Sequence, residues 1–121
     1  MYNFTRARLS RSNFCDVKLY SVIFNHTELT GAYFIRAIID STDFSKADLY
    51  DCNFADSFLC KVNFVNADLR SVNLSRVLAL DCNFSGANLT GTGIENFHPN
   101  DKTKLDNITC DFVFLKGGCF T

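Results

Sequence analysis

The chain has 121 residues and a formal net charge of −1, with 47% hydrophobic and 21% charged residues. That length makes one domain, and the charge supplies neither the basic excess that binds a nucleic-acid backbone nor strong acidity, so no direct nucleic-acid binding is expected. No stretch approaches ~18 consecutive apolar residues and Met1-Tyr2-Asn3-Phe4-Thr5-Arg6 is no signal peptide, so the expectation is a cytoplasmic protein that does not cross a membrane.

One five-residue frame starts at Tyr2 and runs unbroken to Glu95. Its centres are Phe4, Leu9, Phe14, Leu19, Phe24, Leu29, Phe34, Ile39, Phe44, Leu49, Phe54, Leu59, Phe64, Leu69, Leu74, Ala79, Phe84, Leu89 and Ile94, and only Ala79 is small. Two residues before each centre stands a small residue such as Ala7, Val22, Thr42, Cys52, Ala67, Cys82 or Ala87; Tyr2 is the exception. A helix cannot use this period, because five residues rotate a side chain to the wrong face. A long strand cannot either, since an odd period flips faces at each repeat. A three-residue strand followed by a two-residue corner does fit. The centre and the residue two before it then point inward, and the residue between them points out.

A chain that turns a corner every five residues closes into a solenoid, its coils pairing as parallel strands about 4.8 Å apart. Phe and Leu alternate as centres, so an even number of sides keeps like over like. Four sides stack Phe4, Phe24, Phe44, Phe64 and Phe84 in one column and Leu9, Leu29, Leu49, Leu69 and Leu89 in the next; three would set Phe over Leu. The fold class is therefore all-β, a quadrilateral parallel β-helix with four pentapeptides per coil and about five to six coils. Each buried centre contributes roughly 1.5–3 kcal/mol gross, much of it offset by backbone ordering.

The twenty-residue coil converts charge order into position. Asp16, Arg36, Asp56 and Arg76 stack in one corner column with alternating sign. Glu28, Asp48 and Asp68 stack outward on another side, with Arg8, Arg11 and Arg70 near enough to screen them. A solvated mixed-charge surface is the expectation for both.

The whole chain, 1–121, reads as one domain in three stretches: regular repeats over 2–95, a loop or bulge over 96–102 that holds the only proline, and an irregular last coil over 103–121. In that last coil Leu105, Cys110, Leu115 and Phe120 recur at five, with Thr103, Ile108, Val113 and Gly118 two before them. The alternative for the tail is a β-hairpin or flap folded against the solenoid, in which Cys110 and Cys119 could meet.

The motif Ala-(Asp/Asn)-Leu-X-X stands complete at Ala47-Asp48-Leu49, Ala67-Asp68-Leu69 and Ala87-Asn88-Leu89. Over residues 2–95 the pattern resembles the pentapeptide-repeat proteins, and that resemblance implies a right-handed quadrilateral β-helix. The tail, from Ile94-Glu95-Asn96-Phe97 to Cys110-Asp111-Phe112-Val113-Phe114-Leu115, looks like the endings of cyanobacterial members. The family's functions are mostly unknown, so the resemblance adds fold rather than activity. Its quinolone-resistance members resemble duplex DNA in shape and charge and protect a type II topoisomerase. Such a DNA-mimic role is the alternative function here, against which stands the near-neutral charge.

Residues that carry chemistry are sparse. His26 and His98 lie far apart in the frame, and no Cys-x-x-Cys, Gly-rich phosphate loop or serine–histidine arrangement is present. Cys52 and Cys82 take small inward positions, where they are packing residues. Cys15 and Cys60 sit at corners on different sides, and the six cysteines match no zinc-ligand spacing. The reading is a protein that is not an enzyme, with no metal and no cofactor.

What remains is surface. One side of the square places Lys18, Ile38, Phe58 and Leu78 in its outward mid-strand column and Tyr20, Asp40, Cys60 and Leu80 in its corner column, whereas elsewhere the mid-strand residue is mostly Asn, Asp or Arg. A contiguous apolar patch of this kind marks a contact. Tyr20, Ile38, Phe58, Cys60, Leu78 and Leu80 are the candidate interaction surface, unless the C-terminal segment folds over them. The expected function is a non-catalytic interaction or scaffold module that binds an unknown protein partner or itself as a homodimer. The bare coil ends at Tyr2/Phe4 and Gly117-Gly118-Cys119-Phe120-Thr121 are the other places to associate, unless the chain is cut from a longer one.

Overall fold

The structure is a computed structural model that describes residues 2–115 and 118–120. It is an all-β, four-sided parallel solenoid of about five turns, with no helix among the described residues. As far as Pro99 the pairing step is twenty residues on every side: Asn3 bridges Ile23, Arg8 bridges Glu28, Asn13 bridges Tyr33, and each series repeats coil after coil. The fourth side carries full strands, β1 (Lys18–Tyr20), β2 (Ile38–Asp40), β3 (Phe58–Cys60) and β4 (Leu78–Leu80), paired in parallel register.

Three of the four corners of a coil are turns closed by a backbone bond from the small inward residue to the preceding centre, such as Ala7 N–H to the Phe4 carbonyl at 2.9 Å and Ala47 N–H to the Phe44 carbonyl at 3.0 Å; the corner after the fourth side is an open bend without that bond. The residue before that donor has positive φ, near 60° at Arg6, Lys46 and Asp56 and 70° at Gly31. This is the sign pattern of a type II turn. On three sides the outward mid-strand Asn or Asp sets the turn up. Its Oδ1 accepts from the N–H two residues on: Ala55 N–H donates to Asn53 at 2.9 Å, Val65 N–H to Asn63 at 2.9 Å and Ser75 N–H to Asn73 at 2.8 Å. These local bonds explain the Asp/Asn of the repeat, since a short carboxamide or carboxylate mimics a backbone acceptor. On the fourth side that position is Lys18, Ile38, Phe58 or Leu78, which cannot cap a turn. There the strand runs on for three residues and sends an apolar side chain outward.

The core lies on the solenoid axis. Phe24, Phe34, Phe44, Phe54, Phe64 and Phe84 are fully buried. They form two columns on opposite sides, stacked at 4.7–5.3 Å within a column and meeting edge to face across the axis at 5.6–6.4 Å. Such offset and T-shaped pairs add to the area they bury.

The tail departs from the expectation in two places. Of the loop or bulge expected over 96–102 the structure has the bulge, but in a frame that runs one pentapeptide further, with β6 (His98–Pro99) pairing with β4 as the fifth strand of the parallel sheet. The irregularity is one extra residue after Pro99, which changes the step from twenty (Leu78 to His98) to twenty-one (Asn83 to Lys104, Asn88 to Thr109). Asn100 pins it. In the coils below, the N–H of Ser41 or Lys61 finds a main-chain carbonyl, but the N–H of Asp81 donates to the Asn100 side-chain oxygen at 3.0 Å, while Asn100 Nδ2 donates to Asp81 Oδ1 at 2.8 Å.

The last coil then holds as far as β7 (Val113–Leu115), which stacks on β5 (Thr92–Gly93). The second departure follows. β8 (Gly118–Phe120) turns back antiparallel to β7, so the end is a coil finished by a hairpin. The spacing that made Phe120 a centre therefore did not reflect a further corner. A Cys110–Cys119 approach lies outside the described residues.

Candidate interaction surface

The six residues singled out in the sequence all lie on the sheet of β1–β4 and β6. Register places Ile38, Phe58 and Leu78 directly over one another, and likewise Tyr20, Asp40, Cys60 and Leu80. Ile38 is 36% exposed, Leu78 40% and Tyr20 58%; Phe58, Cys60 and Leu80 are half-buried. The hairpin does not cover them, because it extends the β5 side instead. One rung was missed: His98, exposed, continues the column above Leu78, and its signal was the unbroken frame beyond Ile94.

The flank has polar and charged borders. The ammonium of Lys18 closes the column at one end and the imidazole of His98 at the other. Along one edge Arg36 pairs with Asp16 at 2.8 Å and Arg76 with Asp56 at 2.7 Å. The alternating column thus resolves into two bidentate pairs, and the guanidinium hydrogen bonds hold both carboxyls below the usual carboxylate range. Within the flank only Asp40 is acidic, and it accepts a hydrogen bond from the Ser41 hydroxyl at 2.8 Å. An apolar strip with a polar, charged rim is how protein contacts are built.

Among the described residues no three His, Cys, Asp or Glu side chains gather as they would around a metal. The Cys52 thiol is pushed up to about 12 and that of Cys82 to about 11, both by burial, which leaves them unreactive packing groups. A polar groove of about 340 Å³ lies between Arg11, Gly31, Tyr33, Asp51 and Ser71. The Glu28, Asp48 and Asp68 column is answered by Arg8 at 4.0 Å from Glu28 and Arg70 at 2.7 Å from Asp68. It ends at Asn88.

No protein among the curated sequences matches this chain. Among solved structures it is similar to a pentapeptide repeat protein of the Arabidopsis thaliana thylakoid lumen, at 30% identity and a TM-score of 0.54, covering 83% of this chain and 66% of that one. It is also similar to a pentapeptide repeat protein of the cyanobacterium Cyanothece, at 24% identity and a TM-score of 0.35, covering 87% and 60%. A third is HetL of the cyanobacterium Nostoc, a protein involved in heterocyst differentiation regulation, at 14% identity and a TM-score of 0.32, covering 98% and 78%. The chain thus spans just under two thirds of the first neighbour and less of the second. The family described as pentapeptide repeats matches in 8 copies over residues 3–34, 12–49, 27–66, 47–78 and 67–96. The match stops short of the tail, so the likeness of that tail to cyanobacterial endings rests on its own residues alone. The repeats, their step and the match agree, and the chain belongs to the pentapeptide repeat family.

Proposed function

We propose that this protein is a non-catalytic interaction module that binds a protein partner, with a second copy of itself the first candidate, through the side formed by Ile38, Phe58 and Leu78. One observation carries the reading. On three sides the outward position goes mostly to turn-forming Asn and Asp, with Ile23 and Tyr33 as isolated apolar exceptions, while on the fourth three consecutive coils align apolar side chains there, Ile38, Phe58 and Leu78, that nothing described covers. Apolar residues there serve neither the turn nor the core, which leaves contact as their use. A duplex-mimicking role would call for a continuous acidic surface, and the one acidic column is partly neutralised and short.

The test is a double variant, Phe58→Asp with Leu78→Asp. Light scattering across a tenfold concentration range should show association in the wild type and a monomer in the variant, with the β-signal in circular dichroism unchanged. Should the wild type be monomeric, the variant must lose partners that the wild type retains from host lysate. Equal retention by both proteins would refute the reading.

A further inference from the structure

A second apolar feature lies at the C-terminal end of the solenoid, and it is concave. A hollow of about 330 Å³ opens there, walled by Leu74, Phe84, Leu89, Ile94, Phe97 and Ile108. Two causes produce it. The core tapers: the column of Phe14, Phe34 and Phe54 continues as Leu74 and Ile94, and that of Leu19, Ile39 and Leu59 continues as Ala79 and Pro99. The last coil is also wider, because the residue added after Pro99 lengthens its step to twenty-one. Smaller side chains in a wider ring leave space that close packing elsewhere in the core does not. Phe97 recovers part of it by packing edge-on against Phe84, with ring centroids 6.1 Å apart at 86°.

The lining sets the chemistry of what fits. None of its residues is charged. Its single hydroxyl, on buried Thr92, already donates to the Leu89 carbonyl at 2.9 Å, and the Cys110 thiol, a weak donor, lies 3.8 Å from the Leu89 and Phe112 carbonyls, so no strongly polar group is left to orient a ligand. The volume sits at the low end of the about 300–1,000 Å³ typical of ligand sites. The aromatic edges of Phe84 and Phe97 suit another ring. We propose that this hollow is a binding site for a small uncharged hydrophobe, a one- or two-ring aromatic. The site is separate from the Ile38–Phe58–Leu78 flank and does not depend on it.

The probe is naphthalene, an uncharged two-ring fluorophore, titrated by fluorescence. The wild type should bind it saturably with one site per chain. Ile94→Phe and Ile108→Phe, which each fill the hollow, should weaken binding about tenfold or more while keeping the β-signal; Phe58→Asp with Leu78→Asp should bind as the wild type does. Methyl spectra of the wild type with benzene add a readout that needs no variant, and the shifts should concentrate on Leu89, Ile94 and Ile108. Absence of saturable binding, equal binding by the filled variants, or methyl shifts confined to the flank would each overturn the proposal. If a filled variant does not fold, the wild-type methyl map decides.

Discussion

Phe44→Ala is the sharpest test of the inward and outward assignment. Phe44 is fully buried, stacked between Phe24 at 4.9 Å and Phe64 at 5.3 Å, and it meets Phe34 and Phe54 edge to face at 5.6 and 6.0 Å. Emptying a buried aromatic site costs about 3–5 kcal/mol. Neighbours held by backbone ladders above and below cannot collapse into the gap, which places this site in the upper half of that range. For a chain of this size 1 kcal/mol moves the melting midpoint by about 3–6 °C, so a fall of roughly 12–30 °C is expected in calorimetry. Phe58→Ala removes a ring of the same size from a half-buried, outward position and should cost about 1 kcal/mol or less. Equal shifts for the two variants would refute the assignment.

Further predictions concern local features. Ser57 is buried with its hydroxyl unpartnered, at a position taken by Ala37 and Val77 in neighbouring coils; Ser57→Ala should leave stability unchanged or raise it by up to about 1 kcal/mol in urea unfolding. Asn100→Ala removes both bonds to Asp81 and should cost about 1–3 kcal/mol, with hydrogen exchange accelerated at Asp81 and Thr103 and not in the lower coils. Asp16 and Asp56 have carboxyls held below their ordinary value by the Arg36 and Arg76 hydrogen bonds. Their stabilising effect is therefore present above the unfolded value near ~3.9 and lost as pH falls through the lower folded one. The small difference in melting midpoint between wild type and Asp56→Asn should accordingly be constant at neutral pH and vanish on strong acidification, and a difference that persists in strong acid would contradict it. Both pairs are exposed, so the difference should stay modest throughout.

The fold was legible because the period of five admits one geometry, and the alternation of Phe and Leu chose four sides. The flank was legible for the same reason: once the step is twenty, Ile38, Phe58 and Leu78 must align. The cause of its longer strands was not, since the role of Asn53 or Asn63 as a turn acceptor shows only in hydrogen bonds. The tail misled at two points. Pro99 occupies a centre position and Phe97 a small one, so a pentapeptide in register looked like a break. Gly118 and Phe120 keep the five-residue spacing although the chain has reversed, because a hairpin is decided by the pairing of β8 with β7 rather than by spacing. The hollow could have been foreseen from the replacement of Phe by Leu74 and Ile94 and of Leu by Ala79. Its widening by one residue could not.

The most direct test of the flank as the contact surface is a methyl spectrum of isoleucine- and leucine-labelled protein, recorded dilute, concentrated and in host lysate. Ile38 and Leu78 should shift or broaden on concentration or in lysate, while Ile23, outward on another side, and Leu9, at the N-terminal end, should not. Flank methyls that stay unchanged in all three samples, or coil-end methyls that move in their place, would contradict that assignment.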